Sequence, residues 1–172
     1  IAAEMLVTLE HPWKIAVLPG DRLHITEKPG RLRLFENGKL SEPIEGVPEV
    51  HFEGQGGLLG VVTDPGFSIH NTIYLSYAEP AAQQPENASD PGDPRVGDDG
   101  PNSDVVLKGL AVARAELDGM KLKNIEVIWR QEPQQIGRGH FGGQMTFSGD
   151  GKLFITKGER QRFLEQEWPR VV

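Results

Sequence analysis

The chain has 172 residues, 37% of them hydrophobic and 25% charged, which fits a single folded domain and excludes a disordered or fibrous chain. A formal net charge of −7 without a basic stripe argues against a nucleic-acid partner, and no apolar run reaches the roughly 18 residues a membrane helix needs. The absence of cysteine removes disulfides, thiolate catalysis and thiolate metal sites, while 21 glycines and 13 prolines favour short strands joined by tight turns, an all-β class. Residue 1 is Ile rather than Met, so any signal peptide is expected to have been cut away or omitted.

In chain order, "HPWKIAVLPGDRLHITEK" (11–28) alternates apolar and polar positions about a Pro-Gly-Asp turn, the pattern of a β-hairpin. "GRLRLFENGKL" (30–40) and the segment to Val50 supply two further strands. A second hairpin follows in "GQGGLLGVVTDPGFSIHNTIYLSYAE" (54–79). Residues 80–104 are polar, acidic and rich in Pro and Gly, without strand pattern, and read as an insertion. Its "GDDGPNSD" lacks the spacing of an EF-hand, which favours a solvated loop over a calcium site. Strand character resumes in "GLAVARAEL" (109–117) and "NIEVIWRQ" (124–131) around the turn "DGMKLK". The third hairpin is "GHFGGQMTFSGDGKLFITKGE" (139–159), and the tail 160–172 loses the alternation.

Taking Trp13, Gly57 and Gly143 as equivalent strand starts, the offsets are 44 residues (13 to 57) and 86 (57 to 143), near one and two units of a single period. A period of roughly 40 to 45 residues with strand alternation marks the four-stranded antiparallel blades of a β-propeller, not a helical solenoid. The expected organisation is one incomplete propeller domain over 1–172: a first blade at 6–50, a second at 54–131 interrupted by the insertion, and the start of a third at 139–159. Two and a half blades cannot close a ring, so the chain is expected to be a piece of a longer protein.

In such a fold the first strand of each blade lines a central channel and the second runs back beside it. His11, Gln55 and His140, each shortly before a first strand, are then expected around one mouth, and Glu159, just after a second strand, returns beside His140. An imidazole beside a carboxylate can serve as a general base, since the acid fixes the tautomer and raises basicity. Glycines 139, 142 and 143 would let a flat ligand approach the backbone. A purely structural His–Glu pair at a blade junction, with the glycines serving turns, stays open from spacing alone. His11 reads as a turn residue with its ring against Trp13, Trp13 as core, and His24, His51 and His70 as strand or loop-edge residues without metal-ligand spacing.

The segments "LEHPWKIAVLPG", "EKPGRLRLFENGKL", "GVPEVHFEGQGGLLGVV", "IYLSYAE", "RQEPQ" and "GHFGGQMTF…GKLFITKGE", in this order over about residues 6–160, resemble the glucose/sorbosone dehydrogenase family. Within it they are most similar to soluble aldose sugar dehydrogenases, which use pyrroloquinoline quinone (PQQ). The resemblance implies a six-bladed propeller with PQQ at the channel mouth, calcium bridging the cofactor, and oxidation of the anomeric hydroxyl of an aldose to the lactone. It places the general base on His140, the orienting carboxylate on Glu159, and Gln55 and His140 against the cofactor, with an external electron acceptor and a periplasmic or secreted location. The calcium ligands and the cations that pair with the PQQ carboxylates are expected beyond residue 172. Gln144 departs from the resemblance, standing where members often carry Arg. A calcium-dependent lactonase-like propeller and a non-catalytic binding propeller are the alternatives; the former would want carboxylates at the mouth positions.

Overall fold

The computed structural model describes residues 3–86 and 105–159. β1 (Pro12–Leu18), β2 (Arg22–Glu27), β3 (Arg31–Glu36) and β4 (Lys39–Leu40) form a four-stranded antiparallel sheet in chain order. β5 (Leu58–Thr63), β6 (Thr72–Pro80), β7 (Lys108–Asp118) and β8 (Lys121–Arg130) form a second of the same kind. β9 (Gly142–Phe147) and β10 (Leu153–Lys157) pair as a hairpin. The class is all-β, and the repeated four-stranded meander is part of a propeller.

Local chemistry explains most strand ends. Asn37 and Gly38 take φ of 52° and 73°, the two positive values of the tight turn whose twist suits a hairpin, and so β3 reverses into β4. β4 is only two residues long because Ser41 turns its hydroxyl onto the ladder, where Leu34 N–H donates to its Oγ at 2.9 Å. Pairing resumes past Pro43, with Ile44 N–H donating to Leu32 O at 2.8 Å.

Two sequence readings are corrected here. The turn expected at 118–123 is only Gly119 and Met120, with Asp118 paired to Lys121; Asn124, at φ 51° beside a register shift, breaks the alternation and hid the first residues of β8. The stretch read as the turn of the second hairpin contains a single helical turn, α1 (Phe67–His70), closed by Asn71 in the left-handed region at φ 50°.

The inner strands of the second sheet, β5, most of β6 and the first half of β7, are buried on both faces and read as nearly continuous apolar runs, whereas its outer strand β8 is mostly exposed. Leu58, Val61, Leu75 and Tyr77 face Leu18, Leu32 and Ile44 of the first sheet. Leu59, Ala78 and Leu110 turn the other way and pack on Phe141. Each fully buried Leu contributes about 1.5–3 kcal/mol relative to exposure. β1 lies against β5, and β5 against β9, so the first strands of successive sheets form the innermost layer.

Hydroxyls join the sheets. Thr26 Oγ1 donates to Leu59 O at 2.7 Å, and Ser76 Oγ donates to Gly143 O at 2.5 Å while accepting Gly60 N–H at 2.8 Å. The free face of β1 carries Trp13, Ile15 and Val17, exposed by 42%, 53% and 73%, so Trp13 is not the core residue the sequence suggested.

Candidate active site

The end of the sheets where β5 and β9 begin, and where β2 and β10 end, collects the residues picked out by sequence. His140 stands two residues before β9 and Glu159 two residues after β10. Because the hairpin sets Lys157 opposite Gly142, both return to one rim, and His140 Nδ1 hydrogen-bonds Glu159 Oε1 directly. Their side chains are 46% and 29% exposed, so a small molecule can reach the pair.

Gly158 permits this closeness. Its N–H donates to Phe141 O at 3.2 Å, and a Cβ on it would lie 2.0 Å from His140 O, so any other residue would push the two loops apart. His140 itself holds φ 42°, an uncommon conformation for a residue with a side chain, and one that surrounding contacts must maintain.

One such contact is Gln55, 85 residues away in sequence, whose Oε1 accepts the His140 backbone N–H at 2.9 Å. The backbone of Gln55 in turn donates to Arg138 O at 2.8 Å, and the Arg138 guanidinium meets Glu53 Oε1 at 2.6 Å. From the first sheet, Lys28 Nζ donates to Gly54 O at 2.7 Å and lies 5.7 Å and 5.6 Å from the ring centroids of Trp13 and Phe52. Partial burial lowers the Lys28 pKa below the usual lysine value.

The structure therefore brings Gln55, His140 and Glu159 together. His11 belongs to the same end, where its carbonyl accepts Lys28 N–H at 3.0 Å, but its ring packs on Phe52 at 5.4 Å and not on Trp13 as expected. The glycines after His140 also differ from expectation. A Cβ on Gly142 would meet Thr156 O at 2.7 Å, and one on Gly143 would meet Ser76 Oγ at 3.0 Å, so both are held to glycine by neighbouring strands and not by room for a ligand. Sequence reasoning missed Lys28, Glu53 and Arg138, whose roles depend on contacts between sheets that no local pattern reports.

A donated Nδ1–H to Glu159 fixes the His140 tautomer and leaves the lone pair on Nε2, which is the arrangement of a proton acceptor. A second histidine–carboxylate pair lies at the opposite end of the second sheet, beside a cavity of about 510 Å³ lined by Asp64, Tyr74, Arg114 and Glu126. There His70 Nε2 is 3.3 Å from Asp64 Oδ1 and Nδ1 is 2.9 Å from Thr72 Oγ1, so both ring nitrogens are engaged by neighbouring side chains. Among the described residues no group of three or more His, Asp or Glu could hold a metal ion, and no helix is long and apolar enough to cross a membrane. The acidic stretch of the insertion from residue 87 and the tail 160–172 lie outside the described residues.

The glucose/sorbosone dehydrogenase family model matches residues 9–169. Aldose sugar dehydrogenase YliI of Escherichia coli strain K12 is 39% identical over 158 residues, a match covering 90% of this chain and 37% of YliI. A solved glucose dehydrogenase superposes with a TM-score of 0.73 at 42% identity, over 90% of this chain and 40% of its own. The PQQ-bound aldose sugar dehydrogenase of Streptomyces coelicolor, at 22% identity and a TM-score of 0.68 over 93% of this chain and 42% of its own, shares the fold. The chain thus spans about two fifths of the length of these relatives. By the family match, the identity to its relatives and the shared sheet architecture, the chain belongs to the glucose/sorbosone dehydrogenase family.

Proposed function

We propose that the full-length protein is a PQQ-dependent aldose dehydrogenase that oxidises the anomeric hydroxyl of a sugar to the lactone, with His140 as general base. The observation that carries this reading is the His140–Glu159 pair at the rim of the innermost strands, with the Gln55 amide against it. PQQ, when bound, supplies an ortho-quinone that takes up the hydride and is then reoxidised by an external electron acceptor.

The chain's own part is proton management. As the C1–H bond breaks and the C1–O bond becomes a carbonyl, the anomeric O–H proton passes to His140 Nε2. Glu159, on Nδ1, stabilises the imidazolium that forms. Gln55 spends its Oε1 on the His140 backbone, and its Nε2 makes no hydrogen bond to the described residues, so it is placed to donate to sugar or quinone oxygen. These groups fit the reacting edge of a quinone. They do not fit its carboxylates, because Arg138 is paired with Glu53 and Lys28 with Gly54 O; cations for the carboxylates and ligands for a bridging calcium ion are assigned to the part of the family fold outside this chain. A periplasmic or secreted location belongs to the same reading and is checked by cell fractionation.

The test is His140→Gln in the full-length protein reconstituted with PQQ and calcium. Turnover of aldoses is expected to fall by about 10²- to 10⁴-fold, the usual worth of a positioned base, while PQQ binding followed by absorbance is retained. A variant that keeps wild-type turnover overturns the assignment of His140, and a reconstituted wild type that oxidises no aldose overturns the activity and favours a non-catalytic binding propeller.

A further inference from the structure

We infer that Glu53 and Arg138 form a clamp between sheets that positions His140 for proton transfer, acting through Gln55. The inference rests on the reading of His140 as the base.

Arg138 grips the 53–55 loop at two points. Its guanidinium holds Glu53 Oε1 at 2.6 Å and its carbonyl accepts Gln55 N–H at 2.8 Å, while Gln55 Oε1 accepts the His140 N–H at 2.9 Å. The loops touch at backbone level, since a Cβ on Gly54 would lie 2.6 Å from Arg138 O. Lys28 Nζ, bonded to Gly54 O at 2.7 Å, fixes the same loop from the first sheet.

The geometry has a direct mechanical meaning. His140 keeps a left-handed backbone at φ 42°, and its N–H is oriented by a side chain from another sheet. Without the guanidinium, the 53–55 loop loses its charged link to Arg138, and the Gln55 backbone bond and side chain must keep His140 aligned with one fewer restraint. The imidazole then loses its fixed angle to Glu159 and to the sugar oxygen. Small displacements of a reacting group carry large rate penalties. The ion pair is itself partly solvated, with side chains 35% and 45% exposed, so it adds little to global stability. Position and stability are therefore separable by experiment.

The variants are Glu53→Gln, Arg138→Gln and the swapped pair Glu53→Arg with Arg138→Glu, in the full-length protein. Two readouts are taken: hydrogen exchange at the His140 amide in the cofactor-free protein, and kcat and KM for an aldose in the PQQ-loaded enzyme. Each single variant is expected to lose about tenfold or more of His140 amide protection, with the β9 and β10 amides unchanged. Turnover is expected to fall by about 10- to 100-fold at little change in KM, and the swapped pair to recover most of both. Single variants with wild-type protection at His140 overturn the clamp, as do a uniform loss across the hairpin or lost protection with unchanged kcat. The exchange readout needs neither sugar nor quinone. If the wild type shows no turnover, the catalytic reading fails, the positioning role falls with it, and the exchange result still decides whether the clamp holds the loop.

Discussion

His24 sits at the centre of β2, paired with Ala16 on one side and Leu34 on the other, with no exposed surface. Neither ring nitrogen has a hydrogen-bond partner among the described residues. Burial, aided by the positive charge of Arg22, lowers its pKa from 6.5 to about 4. The sign follows from linkage: between about pH 4 and 6.5 the unfolded chain binds a proton that the folded chain refuses, so stability falls as pH drops through that window. The full effect is about 3 kcal/mol. Urea midpoints measured from pH 7 to pH 4 should fall for the wild type and stay flatter for His24→Leu; equal slopes would count against the assignment.

Glu27 works in a lower window. Burial pushes its carboxyl up, but hydrogen bonds from Arg31, the Glu10 N–H and Arg33 outweigh this and hold it below its ordinary 4.5. Its contribution is present above that value and is lost as pH falls further, which separates it from the His24 effect.

Among the elements, β6 shows how a strand between two neighbours divides its labour. Leu75 and Tyr77 seal it to the first sheet, while Ser76, pointing the other way, bridges Gly60 N–H and Gly143 O at 2.8 Å and 2.5 Å. Ser76→Ala would leave both backbone groups buried without that partner, so a loss of about 1–3 kcal/mol per group is the expected scale, read as a lower urea midpoint. An unchanged midpoint would mean that water replaces the hydroxyl.

The elements also show what the residues declare in advance. Asn37-Gly38 announces its hairpin because two positive φ values suit those residues, and the 140–159 pairing follows from a hairpin whose ends must meet. The first residues of β8 escaped notice because Asn124 interrupts the alternation. Gly142, Gly143 and Gly158 are visible as glycines, yet what each makes room for is a neighbouring strand or loop. The Glu53–Arg138 pair, like the Gln55–His140 bond, joins loops 85 residues apart, and no periodicity within either loop encodes the other.

For the whole molecule, the arrangement is radial. Successive sheets stack through their faces, and the free flank of β1 exposes Trp13, Ile15 and Val17. With this chain spanning about two fifths of its relatives, the site as drawn is the portion contributed by two sheets and a hairpin. The proposed base and its amide neighbour are carried by different sheets: Gln55 leads into β5 and His140 into β9.

That division makes the proposed catalytic centre a seam. A slight slip of one wedge past the next parts the Gln55–His140 contact while every ladder remains intact, so denaturant should extinguish the aldose turnover proposed for the full-length protein before far-ultraviolet ellipticity begins to change. Coincident curves for the two signals would mean that the wedges move only when they melt.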